Sequence, residues 1–190
     1  LLPSPARDTI GDSVTMSRSA PLGRAGPDAD PTPAARRTPA ARAIAFYLPQ
    51  FHRVEENDAW LGPGFTEWTN TAKARPLYRG HHQPHLPADL GFYDLRLAET
   101  RAAQAELASR YGIEAFCYWH YWFGDGDRIL DRPFREVLAS GEPDQSFCLA
   151  WANQTWTGIW HGARGRVLKQ QRYPGPADDR RHFGELLPAF

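Results

Sequence analysis

The chain has 190 residues, of which 42% are hydrophobic and 13% aromatic, and these proportions are typical of a globular protein with a sizeable core. Its 22 Lys and Arg residues balance 22 Asp and Glu residues, so no net charge attracts a polyanion. The composition therefore disfavours nucleic acid and anionic membrane surfaces as partners.

Residues 1–42 form a segment rich in Pro, Ala and Arg. It contains no Phe, Trp or Tyr, and it holds seven of the seventeen prolines. Such a segment buries too little apolar surface to offset the entropy that ordering costs. We therefore predict a disordered tail over residues 1–42 and a folded domain over residues 43–190.

Aromatic runs begin at Ala43. The run AIAFYLPQF, closed by Pro49, predicts a buried first strand. The segment 51–93 that follows contains prolines and glycines at a density that excludes a long helix or a central strand, and we predict a long functional loop there. Asp94 is a suitable N-cap for a helix whose charged residues fall on one stripe, and Gly112 is a suitable end.

Two further strands and two further helices are predicted after this first helix. The aromatic run IEAFCYWHYWF suits a second buried strand, and SFCLAWANQ suits a third. A helix over about residues 129–139 lies between them, and PADDRRHFGELLPAF predicts a last helix entered through Pro176. This alternation implies parallel strands with helical crossovers, in about three β/α units.

The ends of the predicted strands carry planar rings and neutral hydrogen-bonding groups. In parallel α/β folds, functional groups collect at the carboxyl ends of the strands. Rings stack on the apolar faces of sugars, and amides, imidazoles and phenols pair with hydroxyls, so we predict a carbohydrate site. The alternative is core packing, because strand side chains alternate between two faces. The predicted substrate-binding residues are Tyr47, Gln50, His52, Trp68, Tyr118, His120, Trp151, Asn153, Gln154 and Trp156.

Glu67, in the stretch GFTEWTN, is the predicted catalytic residue. It stands between Phe65 and Trp68 in the sequence. A carboxylate among apolar rings tends toward a raised pKa, which suits proton transfer or contact with a sugar hydroxyl. The alternative is that Glu67 forms an ion pair with Lys73 or Arg75.

Two other motifs resemble metal sites. HHQPH offers three histidines, but two nearby prolines prevent the helix that would bring His81 and His85 onto one face. GDGD offers Asp125 and Asp127, which suit a divalent ion that holds a nucleotide-sugar donor, but aspartates around a turn glycine are more typical of turn chemistry. We expect no metal and no other cofactor.

The cysteines and the apolar runs bear on the cellular compartment. Cys117 and Cys148 both lie in apolar runs, where a reduced cysteine acts as a small buried hydrophobe. No apolar run approaches the about 20 residues that cross a bilayer, and the first residues lack a signal-peptide pattern. We expect free thiols, no membrane span and a cytoplasmic location.

Four stretches together resemble a known family. They are FYLPQFH, NDAWLGPGFTEWTNTAKARPLYRGHHQPHLPADLGFYDLR, YGIEAFCYWHYWF and FCLAWANQTW. In order and length they resemble the WbsX family, whose members are described as glycosyltransferases or lipopolysaccharide biosynthesis proteins. That family is similar to the endo-α-mannosidase glycoside hydrolases of family 99. The resemblance covers residues 43–190 and implies the N-terminal portion of a (β/α)8 TIM-like barrel.

The resemblance also implies glycosyl transfer or glycoside cleavage in the biosynthesis of surface polysaccharide such as lipopolysaccharide O-antigen. Many relatives have Glu where this sequence has Gln154, and the Glu-x-x-Glu pair of the hydrolase relatives does not occur here. A full barrel needs about 250 residues, so we expect an incomplete barrel whose missing C-terminal half is a partner, with a carbohydrate or glycoconjugate as substrate. The alternative is a sugar-binding or remnant domain without catalysis.

Overall fold

The computed structural model describes residues 41–82, 85–162 and 164–190. The predicted disordered tail lies outside the described residues, except for Ala41 and Arg42. The Arg42 guanidinium forms an ion pair with the Glu114 carboxylate, which directly precedes the second strand.

Three strands form a parallel sheet. They are β1 (Ile44–Tyr47), β2 (Ala115–His120) and β3 (Ser146–Trp151). β2 lies in the middle, with Tyr47 opposite Tyr118 on one side and Trp151 opposite His120 on the other. The predicted α/β class with parallel strands is therefore confirmed. The described residues form no closed barrel, and the (β/α)8 architecture stays a proposal.

Helices fill the connections between these strands. The first connection contains α1 (Glu55–Leu61), α2 (Glu67–Lys73) and α3 (Ala98–Arg110), and the second contains α4 (Arg132–Ser140). After β3 come β4 (Trp156–Thr157), a 3₁₀ helix (Gly158–His161), β5 (Val167–Lys169), α5 (Pro176–Leu186) and a second 3₁₀ helix (Leu187–Ala189). β4 and β5 pair in antiparallel fashion. Among the residues that the structure describes, no helix has the length and apolar character needed to cross a bilayer.

Segment 51–93 differs from the predicted long loop, because it contains α1 and α2, two helices of seven residues each. Gly62, with φ 107°, ends the first of them, and Pro63 lies between the two, so the prolines interrupt the segment without preventing short helices. α3 begins at Ala98 and not near Asp94. The Asp94 carboxylate instead accepts hydrogen bonds from the guanidinium and the backbone N–H of Arg96.

The two faces of the sheet have different neighbours. One face packs against α3 and α4, which contribute Ala105 and Phe134 to the core. Tyr47 and Tyr118 belong to this core cluster. Side chains alternate along a strand, so the intervening residues lie on the opposite face, where Phe46 is 67% exposed. Among the described residues, the helices therefore cover one face of the sheet and leave the other open.

α4 ends at a glycine that provides a stability test. Gly141 has a left-handed φ of 70°, and a Cβ added there would meet nothing within 4 Å. Gly141→Ala should therefore destabilise the fold by about 1 kcal/mol through backbone strain alone. Gly184, inside α5, is equally open but helical, so Gly184→Ala should stabilise by about 0.5–1 kcal/mol. Urea denaturation checks both, and midpoints that shift in the same direction would contradict the prediction.

Candidate functional site

A cavity of about 500 Å³ lies where the three parallel strands end. Its volume falls within the about 300–1,000 Å³ that is typical of small-molecule sites. We call it the strand-end cavity. Its lining residues are Leu48, Gln50, Glu67, Trp119, Tyr121, Phe123, Ala152, Gln154, Trp156 and His161.

Alternation along the strands explains which side chains reach this cavity. Tyr118 and His120 lie on the helix-covered face of β2, so Trp119 and Tyr121 lie on the open face. Leu48 stands one residue after Tyr47 and therefore continues the open face of β1. The cavity is thus an extension of the uncovered sheet face toward the carboxyl ends of the strands.

Aromatic rings form one wall of the strand-end cavity. The indole of Trp156 stacks on the ring of Tyr121, with ring centroids 5.3 Å apart and planes inclined by 12°. Phe123 lies nearly parallel to the same indole at 6.4 Å, and Trp60 meets it edge-on at 5.9 Å. β4 brings Trp156 to this position, because it pairs with β5 beyond the end of β3. Such a wall matches the apolar C–H face of a sugar ring.

Polar groups stand beside the rings. Gln50 Nε2 donates a hydrogen bond to the hydroxyl oxygen of Tyr121 at 2.8 Å, which leaves the Tyr121 proton available for another acceptor. Burial raises the pKa of Tyr121 to about 12, so this hydroxyl keeps its proton at neutral pH. The amide of Gln154 is exposed at the cavity. These groups offer donors and acceptors to a hydroxylated ligand.

Among the described residues that line the cavity, Glu67 is the one with a carboxylate side chain. It is the first residue of α2, which the side chains of Thr66 and Thr69 cap reciprocally. Burial raises the pKa of Glu67 above its usual range, and the charge of His161 opposes this rise. Lys73 and Arg75, the alternative partners considered from the sequence, are not among the groups that shift it. A carboxyl group of this kind suits proton donation.

The raised pKa of Glu67 can be measured directly. Carboxyl ¹³C signals followed by NMR as a function of pH should show Glu67 titrating above the ordinary glutamate value of about 4.3, because burial disfavours the charged form. Glu67→Gln identifies the resonance, since its signal disappears from the titrating set. A Glu67 midpoint at or below the ordinary value would contradict this environment.

His120 and Trp151 lie at a different place from the strand-end cavity. His120 Nε2 is 2.7 Å from Nε2 of His182 in α5, and both imidazoles line a separate cavity of about 290 Å³. Trp151 Nε1 donates to the backbone carbonyl of Trp122 at 3.0 Å, and its ring meets His182 edge-on. These contacts attach α5 to the sheet, because both residues lie on the helix-covered face.

Five other predicted site residues also lie outside the lining. Tyr47 and Tyr118 are in the core, because alternation along β1 and β2 places them on the helix-covered face. His52 is 1% exposed, and burial lowers its pKa. Trp68 packs against Phe51, Phe92 and Tyr93. Asn153 is exposed, and its backbone carbonyl accepts a hydrogen bond from the Tyr173 hydroxyl. The predicted residues that the strand-end cavity brings together are Gln50, Glu67, Gln154 and Trp156.

Comparison with known proteins identifies the family. A family model described as "Glycosyltransferase WbsX" matches residues 43–190. The chain belongs to the WbsX family. Two similar relatives, both named "Uncharacterized protein WxcX", come from two strains of Xanthomonas campestris pv. campestris. Each is 49% identical over 136 residues, which cover 72% of this chain and 19% of the relative. No solved structure matches the chain significantly.

The WbsX resemblance predicted from the sequence is thus confirmed, and the chain spans about a fifth of the length of the curated relatives that it matches. The sequence did not single out Trp119, Tyr121, Phe123 or His161 as site residues of this WbsX chain. One signal was available for Trp119 and Tyr121. Because side chains alternate along β2, these two residues lie on one face of the strand and Tyr118 lies on the other.

The GDGD turn of this WbsX chain is held by ion pairs. Lys169 Nζ lies 2.8 Å from the Asp127 carboxylate, and the Arg172 guanidinium lies 3.6 Å from Asp125 and 3.8 Å from Asp127. Asp125 also donates its backbone N–H to Asp178. Within the described residues, no group of three or more His, Cys, Asp and Glu side chains is arranged to hold a metal ion. The two aspartates lie in this turn and form ion pairs with Lys169 and Arg172.

Proposed function

We propose that the strand-end cavity binds a carbohydrate, and that the protein acts in glycosyl transfer or glycoside cleavage during the biosynthesis of surface polysaccharide such as lipopolysaccharide O-antigen. The observation that carries this proposal is the combination of an aromatic wall with Glu67, Gln50 and Gln154 in one cavity at the ends of parallel strands. Membership of the WbsX family supports glycosyl chemistry.

Glu67 is the proposed general acid. Its partly buried position keeps it protonated to higher pH than an exposed glutamate, and a protonated carboxyl can donate to the oxygen of a glycosidic bond. Most glycosidases need a second carboxyl group, about 5–9.5 Å from the first. Because Glu67 is the one carboxylate among the described lining residues, the second would come from a part of the protein outside them.

The open sheet face supports the proposed (β/α)8 barrel. Ile44, Phe46 and Leu48 are 52%, 67% and 45% exposed on this face. In such a barrel the face opposite the helices points inward, where side chains from all strands fill the interior. The proposed partner of this face is therefore the remaining C-terminal part of the barrel.

The cytoplasm is the proposed compartment. Cys117 and Cys148 are free thiols at directly opposed positions of β2 and β3, and burial raises the pKa of Cys117, which makes it a poor nucleophile. Free thiols with a packing role are typical of a reducing environment. Fractionation of the native host, with the protein detected in the cytosolic, membrane and periplasmic fractions, tests this proposal.

Neighbouring amides provide a test of the carbohydrate proposal. Gln154 lines the cavity and Asn153 does not, although both side chains are exposed. In a tryptophan-fluorescence titration with neutral oligosaccharides, Gln154→Ala should weaken binding about fivefold, which corresponds to the loss of one hydrogen bond of about 1 kcal/mol. Asn153→Ala should leave the affinity unchanged. Equal effects of the two changes would argue against this site.

A sugar-binding domain without catalysis is the second candidate, and the single carboxylate of the described lining favours it. Measurements of kcat and glycan affinity in the Glu67→Gln variant of the full-length protein distinguish a catalytic site from a binding site. If the site is catalytic, kcat should fall about 100-fold or more while glycan affinity changes little, because the amide keeps the shape and loses the proton. Glycan binding without any turnover by the unmodified full-length protein would support the binding domain instead.

A further inference from the structure

The charges of the strand-end cavity limit the class of substrate. None of its described lining residues is Lys or Arg. Proteins bind the diphosphate of a nucleotide-linked or lipid-linked sugar with cationic side chains, with a metal ion or with backbone N–H groups at a long helix N-terminus. The helix that begins at this cavity, α2, has seven residues, and its first residue is the acidic Glu67.

His161 is the one imidazole of the described lining, and its Nδ1 lies 3.1 Å from the amide nitrogen of Asn70. Its charge opposes the raised pKa of the neighbouring Glu67. Apart from this imidazole, the described lining offers neutral donors and acceptors and one carboxyl group.

Two cations near the aromatic wall form ion pairs, whereas the Arg166 guanidinium donates to the backbone carbonyl of Trp60 at 3.1 Å. Lys169 Nζ lies 5.5 Å from the centroid of the Phe123 ring, but its ion pair with Asp127 is only 2.8 Å long. Arg172 bridges Asp125 and Asp127. These contacts pair Lys169 and Arg172 with the two carboxylates that an Asp-x-Asp metal site would use.

We propose that the strand-end cavity takes an uncharged glycan unit and does not take the diphosphate of a sugar donor. This inference rests on the proposed carbohydrate function and adds the substrate class. The rings and amides suit a neutral hydroxylated ring, and the described lining contains no Lys or Arg side chain that could pair with a phosphate or uronate group. In glycosyl transfer, the cavity then holds the acceptor glycan, and the donor diphosphate binds elsewhere in the protein.

Saturation-transfer NMR with the full-length protein tests this substrate class. The neutral probes are maltose, cellobiose and lactose, and the anionic probes are UDP, GDP and inorganic pyrophosphate, each with and without Mg²⁺. We expect at least one neutral disaccharide to bind, and Trp156→Ala to weaken that binding at least about tenfold. We expect none of the anionic probes to displace the disaccharide, and none to give a signal that depends on Trp156.

The outcomes distinguish this inference from the function on which it rests. If UDP, GDP or pyrophosphate displaces a bound disaccharide, the carbohydrate function stands and the exclusion of diphosphates is overturned. If a diphosphate binds and Trp156→Ala abolishes its binding while no disaccharide binds, the cavity is a donor site and the inference is wrong. If neither class of probe binds, the proposed carbohydrate function fails, and the inference fails with it.

Discussion

Replacing Trp156 by alanine is expected to lower the affinity for a neutral disaccharide about 30-fold, which corresponds to about 2 kcal/mol for an aromatic anchor at the centre of a binding site. Its indole contacts Tyr121, Phe123 and Trp60, so its loss removes the centre of the aromatic wall. Isothermal titration calorimetry of the full-length protein measures the effect.

Trp151→Ala is the matched control for this change. Trp151 is also half-buried near the strand ends, but its side chain contacts Trp122 and His182 on the helix-covered face. This variant should lower the melting temperature, because it loses packing and one hydrogen bond, and it should keep the glycan affinity. Equal losses of affinity in Trp156→Ala and Trp151→Ala would show that binding follows general stability and not the cavity.

Acidification from about pH 6.5 to about pH 4 is expected to destabilise the fold by about 3 kcal/mol through His120. Burial, and then the neighbouring His182, lower the pKa of His120 to about 4. Burial also lowers the pKa of His182. Below about pH 6.5 these imidazoles are therefore protonated in the unfolded chain while they stay neutral in the folded chain. Stability is therefore full above that pH and falls as the pH approaches the folded value.

The charges around this histidine pair do not cancel the effect. For His120, Asp131 raises the pKa and Arg128 lowers it. For His182, the pKa is lowered by Arg128 and raised by three carboxylates, those of Asp178, Asp179 and Glu185. Burial is nevertheless the largest cause of the lowered pKa of both rings. Two protonated imidazoles with nitrogens 2.7 Å apart would repel each other at the junction of β2 and α5.

Urea denaturation at a series of pH values measures this dependence. His120→Phe should flatten the slope between pH 6.5 and pH 4, because it removes the group that titrates. Leu138→Ala is the control, since it lines the same cavity and removes no titratable group, and it should lower stability at every pH with an unchanged slope. A wild-type slope that persists in His120→Phe would mean that other groups cause the acid sensitivity.

The order of the main elements could be predicted from the sequence, whereas the short helices could not. The aromatic runs around β1, β2 and β3 and the glycines after α3 and α4 give clear local signals. The helices α1 and α2 are short. Thr66 caps the N-terminus of α2, and Trp68 contacts residues that are distant in the sequence. Contacts of that kind depend on the tertiary fold and leave no periodic pattern.

The lining of the strand-end cavity was only partly predictable for a related reason. Alternation divides β2 into two faces, but both are aromatic, so the sequence does not reveal which face the helices cover. The sequence favours Tyr118 and His120, but the docking of α3 and α4 on that face places Trp119 and Tyr121 at the cavity instead. Gln50, Glu67, Gln154 and Trp156 lie in loops or short elements after the strands, where position in the chain was the better guide.

The central claim is that the strand-end cavity binds a glycan, and chemical-shift mapping tests it most directly. Titration of ¹⁵N-labelled full-length protein with a neutral disaccharide should shift the amide signals of Gln50, Tyr121 and Gln154 and the indole N–H signal of Trp156. Residues around the His120–His182 pair, on the other face of the sheet, should not respond. Shifts confined to that second cavity, or no saturable shifts anywhere, would contradict the claim.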